Sequence, residues 1–429
     1  MAQAVLIDGL RSPFVKSGSK LNDVPAHELA TVVVRDLLAK LDLSADVVDE
    51  VIFGNISQSS DAANVARVIA LNAGLPFSIP AHTVVRNCAS GMEAISEACD
   101  RIHLNESEVI VCGGVESMSN IPLIFPKNYT NFLAEWMKAK SWVQKLKTLS
   151  SFRLSMFSPR VALLEGLTDP FCGLSMGHTA EVLAREWNIS RKAQDEYALQ
   201  SHRLAVKAGQ DGKFLDEMTP FYLPPKYDEV IQEDIGPRSQ QSMEQLSKLK
   251  PVFDKYYGSV TAGNSCQITD GAVAAVIMSS EKAASLGYEP LATVKSHAAV
   301  GTDPKRMGLG PVFAMHKALQ KANLQLSDME LIELNEAFAA QVLAVCNACE
   351  SEKFAKEKLG LDAPLGNIRK EILNVNGGAI ALGHPVGASG ARLVVTLAKE
   401  MKRRHLRYGL ATLCVGGGQG AAMILEAGT

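Results

Sequence analysis

The chain has 429 residues, of which 47% are hydrophobic and 21% charged, and a formal net charge of −3. This composition is typical of a globular protein of two or three domains, and the small charge argues against nucleic acid as a partner. No run of ~18 or more apolar residues predicts a membrane span. Neither a secretory leader nor a peroxisomal address is visible, so we expect a cytoplasmic protein.

The first 119 residues alternate helix-forming and strand-forming stretches. After a short opening strand, a helix around 37–40 leads through a polar loop to a strand over 50–55, and an Ala-rich helix follows over 62–73. Cys88 stands among small residues that predict a tight turn into another helix, ahead of a strand over 108–114. This order of apolar strands and helices indicates an α/β fold.

Residues 120–267 differ in composition from the sequence on either side. They contain the three tryptophans of the chain and several prolines. From 138 to 160 there are six basic residues and no acidic one, interleaved with leucine, methionine and phenylalanine. This stretch is consistent with binding of phosphate, a membrane surface or a partner subunit, and also with a solvated basic face on a lid helix.

The second half repeats the plan of the first. A helix around 318–321 and a polar loop lead to a strand over 330–335, which ends on Asn335 as the earlier strand ends on Asn55. An Ala-rich helix is predicted over 337–348, in the place of the helix over 62–73. Self-similarity of this kind predicts two copies of one structural unit.

The repeat continues towards the C-terminus. A strand is predicted over 373–376, and the stretch Ala388-Ser389-Gly390 opens a helix that leads to a strand over 410–414. The earlier stretch Ala89-Ser90-Gly91 opens a helix in the same way. Two α/β units therefore face each other, with helices covering both faces of mixed sheets. Loops at the strand ends of both halves come together, where open α/β sheets bind their ligands.

Two residues of these loops form a candidate nucleophile and base. Cys88 is predicted at a helix N-terminus, where the helix dipole favours a thiolate, although small cysteines are often simply buried. His384 can act as general base for such a thiol. It lies between Gly383, which gives the backbone freedom, and Pro385, which restricts it. Taken alone, it would be interpreted as a structural or solvated histidine.

Two further residues could complete a covalent acyl-transfer site. Cys414 ends a strand, and its side chain could serve in the site or simply pack there. Gly416 to Gly418 follow it, and their N–H groups could hold an oxyanion. Asn335 could fix a water or a carbonyl, or simply cap the next helix. All four residues fall at strand ends or helix starts of two related halves, which chance placement would rarely produce.

Two other patterns are weaker. Residues 416–421 fit a dinucleotide-binding loop, but the sequence stops at Thr429, before the helix, strand and acidic residue that such a site requires. Cys346 and Cys349 form a C-x-x-C pair in an Ala-rich helix, with no second pair nearby. We interpret them as buried structural cysteines rather than a metal or redox site.

Seven stretches together resemble the thiolase family, in the family's order and over essentially the whole chain. They are 87–94, 112–119, 176–181, 261–264 with 269–272, 335–339, 376–385 and 414–420. The resemblance implies an α/β thiolase fold of two duplicated βαβαβαββ halves in a five-layer αβαβα arrangement, usually a tight homodimer. The implied domains are an N-terminal half over 1–119 completed by 268–290, an inserted loop domain over 120–267, and a C-terminal half over 291–429.

The resemblance also implies a role for each candidate residue. Cys88 would carry the acyl group, His384 would activate it, and Cys414 would move the proton at the α-carbon of the acetyl unit. One oxyanion hole would combine His384 with a water held by Asn335, and the other would use the N–H groups of Cys88 and Gly416. No metal or other cofactor is expected for this chemistry. Coenzyme A takes part in it as a substrate. Contacts with acyl-CoA and coenzyme A are predicted at Met176, His178, Ala262, Cys266 and Phe338.

Within the family, the insertion resembles that of beta subunits of trifunctional fatty-acid β-oxidation complexes. This implies a 3-ketoacyl-CoA thiolase acting on medium- and long-chain 3-oxoacyl-CoA, with a hydratase/dehydrogenase alpha subunit as partner and peripheral membrane contact as a further prediction. Cys266 stands at a position where many thiolases have a serine that binds the pantetheine arm. Ser175 stands at a position where biosynthetic members often have a histidine. The alternatives are an acetyl-CoA acetyltransferase and a lipid or coenzyme A carrier without chemistry.

Overall fold

The computed structural model describes residues 2–428, so that Met1 and Thr429, at the outer ends of the predicted domains, lie outside the described residues. The strands are β1 Ala4–Arg11, β2 Val15–Lys16, β3 Glu50–Gly54, β4 Ala81–Val84, β5 Val109–Glu116, β6 Leu123–Ile124, β7 Arg160–Val161, β8 Phe221–Tyr222, β9 Val230–Ile231, β10 Thr269–Ser279, β11 Ala292–Gly301, β12 Leu331–Leu334, β13 Tyr408–Val415 and β14 Gln419–Ala427. The helices are α1 Ala26–Leu41, α2 Val65–Asn72, α3 Ser90–His103, α4 Lys127–Lys138, α5 Trp142–Ser150, α6 Ala162–Gly166, α7 Met176–Glu186, α8 Arg191–Gln210, α9 Met243–Ser247, α10 Ser280–Leu286, α11 Gly310–Ala322, α12 Ala339–Glu350, α13 Glu352–Phe354, α14 Ala379–Leu382 and α15 Val386–Arg404.

Helices and strands stack in five layers, as the sequence predicted. Helices α1 and α2 cover the outer face of the N-terminal strands, and α11 and α12 cover the outer face of the C-terminal strands. Helices α3 and α15 lie together between the two halves, in a core that draws apolar residues from both. Because the central strands of the main sheet, such as β1, β10 and β13, are almost wholly buried, their sequences are apolar runs rather than alternating patterns.

The strands of the two halves join into one sheet, in the order β12-β13-β14-β11-β1-β10-β5-β3-β4, with β2 beside β10. A seam of two antiparallel residue pairs connects β1 to β11 and so adds a link that the sequence did not predict. Strand β10 pairs with β1 and β5, which are strands of the N-terminal half. This pairing supports the completion of that half by 268–290. The division into domains as a whole stays a prediction.

The duplication is visible where parallel strands begin. Asp49, just before β3, accepts the backbone N–H groups of residues 108 and 109 at the start of β5. Glu330, just before β12, accepts the backbone N–H groups of residues 407 and 408 at the start of β13. Strands β3 and β5 are a parallel pair, as are β12 and β13. A carboxylate in the same place of each half therefore ties together the same two strands.

Glycines allow the two central helices to approach closely. A Cβ at Gly91 on α3 would lie 2.9 Å from the nitrogen of Ala391, and a Cβ at Gly390 on α15 would lie 2.6 Å from the nitrogen of Met92. A larger residue at either place would push α3 and α15 apart. Because Cys88 lies just before α3 and His384 just before α15, this contact sets the distance between them.

The strand predicted over 373–376, which lies within the described residues, is absent. Only an isolated bridge forms at Leu373. Asn374 has a φ of 45° and Gly377 a φ of 76°, values that an extended strand does not allow. The side chain of Asn374 instead bonds the N–H and the C=O of Leu334, and so takes over bonds that a neighbouring strand would have made. The two Ala-rich helices are present, with shifted ends, as α2 and α12.

The insertion between β5 and β10 includes a helical hairpin, α4–α5, that stands clear of the core. Every residue of α4 and α5 is at least partly exposed. Aromatic rings hold the hairpin together: the centroids of Tyr129 and Phe157 are 5.2 Å apart, and those of Phe132 and Phe152 are 5.4 Å apart. Over residues 2–428, no helix is both long enough and apolar enough to span a membrane.

Candidate active site

A cavity of about 210 Å³ brings together most of the predicted site residues. Its walls come from the turn before α3, the loop before α15, the turn between β13 and β14, and the insertion. Asn335, His178 and Ala262 lie outside the set of described residues that line it. The predicted residues that do line it are Cys88, His384, Cys414, Gly416, Met176, Cys266 and Phe338.

Cys88 lies in a tight turn directly before α3. Residues 87–89 form one turn of 3-10 helix, and Asn87 has a φ of 43°, in the left-handed region that asparagine tolerates better than most residues. The side chain of Asn87 donates to the carbonyl oxygen of Gly416 over 2.7 Å. The nucleophile turn of one half is thereby fixed to the glycine turn of the other half.

Burial governs the ionisation of Cys88. Desolvation raises the pKa of its thiol, hydrogen bonds from the N–H groups of Gly416 and Cys88 oppose the rise, and the charge of Glu116 adds to it. The net direction is opposite to the one expected from a helix N-terminus alone, because removing the anion from water outweighs the helix dipole. Cys88 therefore needs a base to accept its proton.

His384 presents an unprotonated nitrogen to the cavity. Its Nδ1 lies 2.5 Å from Oγ of Ser389, and that hydroxyl donates to the carbonyl oxygen of Pro385 over 2.9 Å. With the single hydroxyl proton of Ser389 directed to Pro385, the ring proton of His384 is assigned to Nδ1, which donates to Ser389. Nε2 has no hydrogen-bond partner within residues 2–428. It is free to accept a proton.

The protonation state of His384 suits a general base. Burial, and then the charge of Arg392, lower the pKa of His384 to about 4. The imidazole is therefore neutral at pH 7, with its lone pair on Nε2. A neutral imidazole beside a neutral thiol is the pair that can move a proton as the thiol attacks a carbonyl.

Three thiols share the cavity. Burial raises the pKa of Cys414 well above its ordinary value and raises the pKa of Cys266 to about 12, and the neighbouring thiols strengthen both shifts. Both side chains therefore carry their protons at neutral pH. A protonated thiol close to a reacting carbon is able to donate a proton to a carbanion and take it back.

The glycine turn after Cys414 depends on its lack of side chains. Gly417 and Gly418 have φ values of 87° and 75°, which favour glycine. A Cβ at Gly418 would lie 2.4 Å from the carbonyl oxygen of Thr302. The turn can therefore bring the N–H of Gly416 towards the Cys88 thiol, where it could also meet an oxyanion.

Asn335 is fully buried just after β12, beside the cavity rather than in its wall. Its backbone N–H donates to the carbonyl oxygen of Thr412. Neither polar atom of its side chain has a partner among the described residues, which is uncommon for a buried amide. Helix capping does not account for it, since the residue at the N-cap of α12 is Phe338. The free amide could bind a water or an oxyanion.

His178 lies on an exposed face of α7, in a surface groove that also contains Phe253. Its Nδ1 is 2.8 Å from Oγ of Ser175. The ring of Phe253 lies 5.8 Å from that of His178 and 6.1 Å from that of Phe338, centroid to centroid. Because Phe338 lines the cavity, this row of rings leads from the surface to the cysteines. Ala262 is exposed at the surface.

The insertion forms a part of the cavity that was not predicted from the sequence. Helix α6 and the residues after it cover the cavity with apolar side chains. Neither Ser389 nor Glu116 was predicted to have a role, although an acidic residue at the end of an apolar strand is a signal visible in the sequence. Apolar lining residues that had no predicted role include Ile121, Ala162, Leu163, Leu167, Met307 and Val386.

The C-x-x-C pair lies far from this cavity. Cys346 and Cys349 are on α12, where they pack against the outer core of the C-terminal half, in agreement with a structural role. All eight cysteines of the chain are free thiols. Within residues 2–428, no group of three or more His, Cys, Asp or Glu side chains is placed to hold a metal ion.

Two family models match the sequence of this chain. The model for the thiolase N-terminal domain matches residues 4–281, and that for the thiolase C-terminal domain matches residues 288–427. The chain belongs to the thiolase family. The predicted fold is thereby confirmed, and so is the prediction of an acyltransferase enzyme.

Similar proteins agree on the family but differ in their substrates. The Bos taurus protein named trifunctional enzyme subunit beta, mitochondrial, is 42% identical over 424 residues, covering 99% of this chain and 88% of its own length. The crystal structure of the Bacillus anthracis acetyl-CoA acetyltransferase is 40% identical, with a TM-score of 0.86, and covers 100% of this chain and 99% of its own. The human mitochondrial 3-ketoacyl-CoA thiolase in complex with CoA is 38% identical, with a TM-score of 0.85 and coverage of 100% and 98%. The similarity establishes a thiolase and leaves its substrate open.

Proposed function

We propose that this thiolase is a degradative 3-ketoacyl-CoA thiolase (acetyl-CoA C-acyltransferase) of fatty-acid β-oxidation. The observation that carries the proposal is the apolar cover of the cavity. Leu163, Leu167 and Ile121 of the insertion line the same cavity as Cys88, and so provide an apolar wall for a fatty acyl chain. A fatty acyl chain would bury more apolar surface against that wall than an acetyl group would.

The first half of the proposed reaction breaks a carbon–carbon bond. His384 takes the thiol proton of Cys88 as the sulfur attacks the keto carbon of a 3-oxoacyl-CoA. The bond between the α-carbon and the keto carbon then breaks, and its electron pair leaves on acetyl-CoA as an enolate. Cys414 protonates that enolate. The products are acetyl-CoA and a shortened acyl group on Cys88.

The second half transfers the acyl group to coenzyme A. The thiol of coenzyme A gives its proton to the Cys414 thiolate as its sulfur attacks the thioester at Cys88, and the Cys88 sulfur leaves and takes back the proton held by His384. Both halves place negative charge on an oxygen, which the N–H groups of Cys88 and Gly416, and Asn335 with His384, are proposed to stabilise. Removal of one such donor typically costs about 10²–10³ in kcat. Coenzyme A enters as a substrate, and the proposed route uses no metal or other cofactor.

We propose that coenzyme A approaches along the row of rings formed by His178, Phe253 and Phe338. The row joins an exposed groove to the catalytic cavity, as the pantetheine arm of a bound acyl-CoA would require. Met176 and Cys266 line the cavity at its inner end, and Ala262 is proposed to contact coenzyme A at the surface. Support for coenzyme A as ligand comes from the human relative, which was solved in complex with CoA.

We also propose that the helical hairpin α4–α5 contacts a partner subunit. Met137, Trp142 and Val143 are 84%, 73% and 75% exposed, beside the basic stretch of residues 138–160. The bovine relative is named as a beta subunit. A hydratase/dehydrogenase alpha subunit fits, because those two reactions produce a 3-oxoacyl-CoA.

The size of the purified protein tests this assignment. With a co-expressed hydratase/dehydrogenase, we expect a complex larger than the predicted homodimer, and Trp142→Asp should prevent its formation. Binding of the chain alone to anionic vesicles, lost in the same variant, would instead favour peripheral membrane contact.

Substrate preference tests the degradative assignment. Purified protein should cleave a long-chain 3-oxoacyl-CoA with a higher kcat/KM than acetoacetyl-CoA. A strong preference for the four-carbon substrate would instead identify an acetyl-CoA C-acetyltransferase, which condenses two acetyl units with the same residues.

A covalent intermediate separates an enzyme from a carrier of the same fold. After incubation with an acyl-CoA, intact mass spectrometry should show an acyl adduct that Cys88→Ser removes. The same variant should nearly abolish turnover, because a hydroxyl beside a single histidine is a far weaker nucleophile at neutral pH. Absence of any adduct on the wild-type chain would favour a lipid or coenzyme A carrier.

A further inference from the structure

Two buried carboxylates hold the loop that contains His384, one on each side of it. Glu336 accepts the backbone N–H of Ile380 over 3.1 Å, and Glu116 accepts the backbone N–H of Gly387 over 3.1 Å. Glu336 follows strand β12 of the C-terminal half, whereas Glu116 ends strand β5 of the N-terminal half. The reaction proposed above uses neither carboxylate.

Glu336 is surrounded by donors from three parts of the chain. Besides Ile380, it accepts hydrogen bonds from Oη of Tyr197 at 2.9 Å, Oγ of Ser201 at 2.6 Å and Nδ2 of Asn374 at 3.0 Å. The geometry therefore uses both of its oxygens as acceptors. It joins the chain after β12 to the segment before His384.

Glu116 has the same arrangement on the other side. It accepts hydrogen bonds from Nδ2 of Asn55 at 3.1 Å and from the backbone N–H groups of Ile56 and Ser57 at 3.1 and 2.9 Å. A Cβ at Gly387 would lie 2.8 Å from its Oε2, so the start of α15 is packed directly against the carboxylate. Glu116 thus joins the ends of β3 and β5 to the segment after His384.

Neither carboxylate is compensated by a cation. Within residues 2–428, no Lys, Arg or His nitrogen forms a salt bridge with Glu116 or Glu336, and burial raises the pKa of both, that of Glu116 to about 7. A buried acid without a counter-ion is costly to fold. What the two residues provide in return is acceptors at both ends of one catalytic loop.

We propose that Glu116 and Glu336 are positioning residues that together hold residues 380–387 and so direct Nε2 of His384 towards Cys88. Each half contributes one of them, which places the base at the boundary between the halves. The inference rests on the proposed function to the extent that His384 acts as the base for Cys88.

Glu336→Gln is the main test. Glutamine keeps the size of the side chain but replaces one acceptor oxygen with an NH₂ group, which only donates. Because Ile380 and Asn374 donate to different oxygens of Glu336, the one oxygen that remains cannot accept from both, so the loop must shift. A displacement of about 1 Å should lower kcat for thiolysis by about 100-fold. The KM for coenzyme A should change by less than about threefold, because binding contacts are retained. Glu116→Gln should lower kcat in the same way.

Glu330→Gln is the matched control. Glu330 lies at the opposite end of β12, accepts two backbone N–H groups, and is remote from His384 in the fold. We expect its substitution to leave kcat unchanged even where it lowers stability. An equal loss of kcat in this control would show that damage to β12, rather than to the loop, is responsible, and would overturn the proposal.

The rate at which iodoacetamide alkylates Cys88, measured on the Cys88 peptide by mass spectrometry, tests the inference without any acyl-CoA. At neutral pH, Glu336→Gln should slow it by about tenfold or more, because a displaced His384 no longer takes the thiol proton. Wild-type protein that lacks thiolysis would count against the proposed function only. A kcat and an alkylation rate of Glu336→Gln that both lie within about threefold of the wild-type values would count against the positioning role. If Glu336→Gln does not fold, Glu336→Asp, with its shorter stem, should show the same losses, and wild-type rates would refute the role.

Discussion

Asn87 donates its side-chain amide to the carbonyl oxygen of Gly416 over 2.7 Å, and this bond ties the turn of the nucleophile to the glycine turn of the other half. Asn87 also holds a φ of 43°. Both the bond and the backbone conformation depend on this one residue. They can be separated by substitution.

Asn87→Ala should lose both contributions, and Asn87→Gly only the hydrogen bond. A lost hydrogen bond costs about 1 kcal/mol, and a left-handed conformation costs an alanine about 1–2 kcal/mol more than a glycine. We therefore expect the glycine variant to be the more stable of the two in urea denaturation, with kcat reduced in both. A less stable glycine variant would contradict this account of the turn.

Ser389→Ala should impair the base without disturbing substrate binding. Nδ1 of His384 would lose its acceptor, so the ring could rotate or change tautomer, and kcat should fall by about tenfold or more with little change in KM. Ser296→Ala is the control, because Oγ of Ser296 donates to a buried carbonyl in the same way, 2.8 Å from Ala318, but away from the cavity. Steady-state kinetics of both variants would decide, and equal kcat values would rule out a specific role for Ser389.

Leu163→Trp should shorten the acyl chain that the enzyme accepts. Leu163 lines the cavity, so the larger ring would occupy space proposed for the chain, and kcat/KM should fall for long 3-oxoacyl-CoA but not for acetoacetyl-CoA. A lost or blocked methylene contact is worth about 10–200-fold in discrimination. Leu164→Trp, at the 62% exposed neighbour, should leave the preference unchanged. Identical chain-length profiles for the two variants would place the acyl chain elsewhere.

The buried histidines predict how stability depends on pH. Burial lowers the pKa of His384, and that of His202, from 6.5 to about 4. As pH falls below 6.5 the unfolded chain binds these protons and the folded chain does not, so the stability that is present above pH 6.5 declines until about pH 4. Each group contributes up to about 1.4 kcal/mol per pH unit within that window. Urea unfolding between pH 7 and pH 5 should show a shallower slope for His384→Gln and for His202→Gln. Unchanged slopes would mean that both rings take up their protons in the folded chain as they do in the unfolded chain, and that burial does not lower their pKa.

Local patterns carried much of the prediction. The apolar strands, the Ala-rich helices and the repeated order of elements were readable because each depends on residues close together in the chain. The strand predicted over 373–376 failed because the side chain of Asn374 competes for the bonds of its neighbour, which periodicity does not reveal. The apolar cover of the cavity was missed because Leu163 lies in a short helix and Leu167 directly after it, in a stretch whose sequence resembles any exposed segment.

The sequence by itself determined the duplicated plan, the family and the cysteines and histidine that carry the proposed chemistry. Tertiary structure alone decided their ionisation, since the pKa of Cys88 rises and that of His384 falls through burial, a property of the whole fold. It also decided which nitrogen of His384 is free, through a hydroxyl on the next helix. The surroundings of His384 come from both halves, and only folding brings Glu116 and Glu336 to the two sides of its loop.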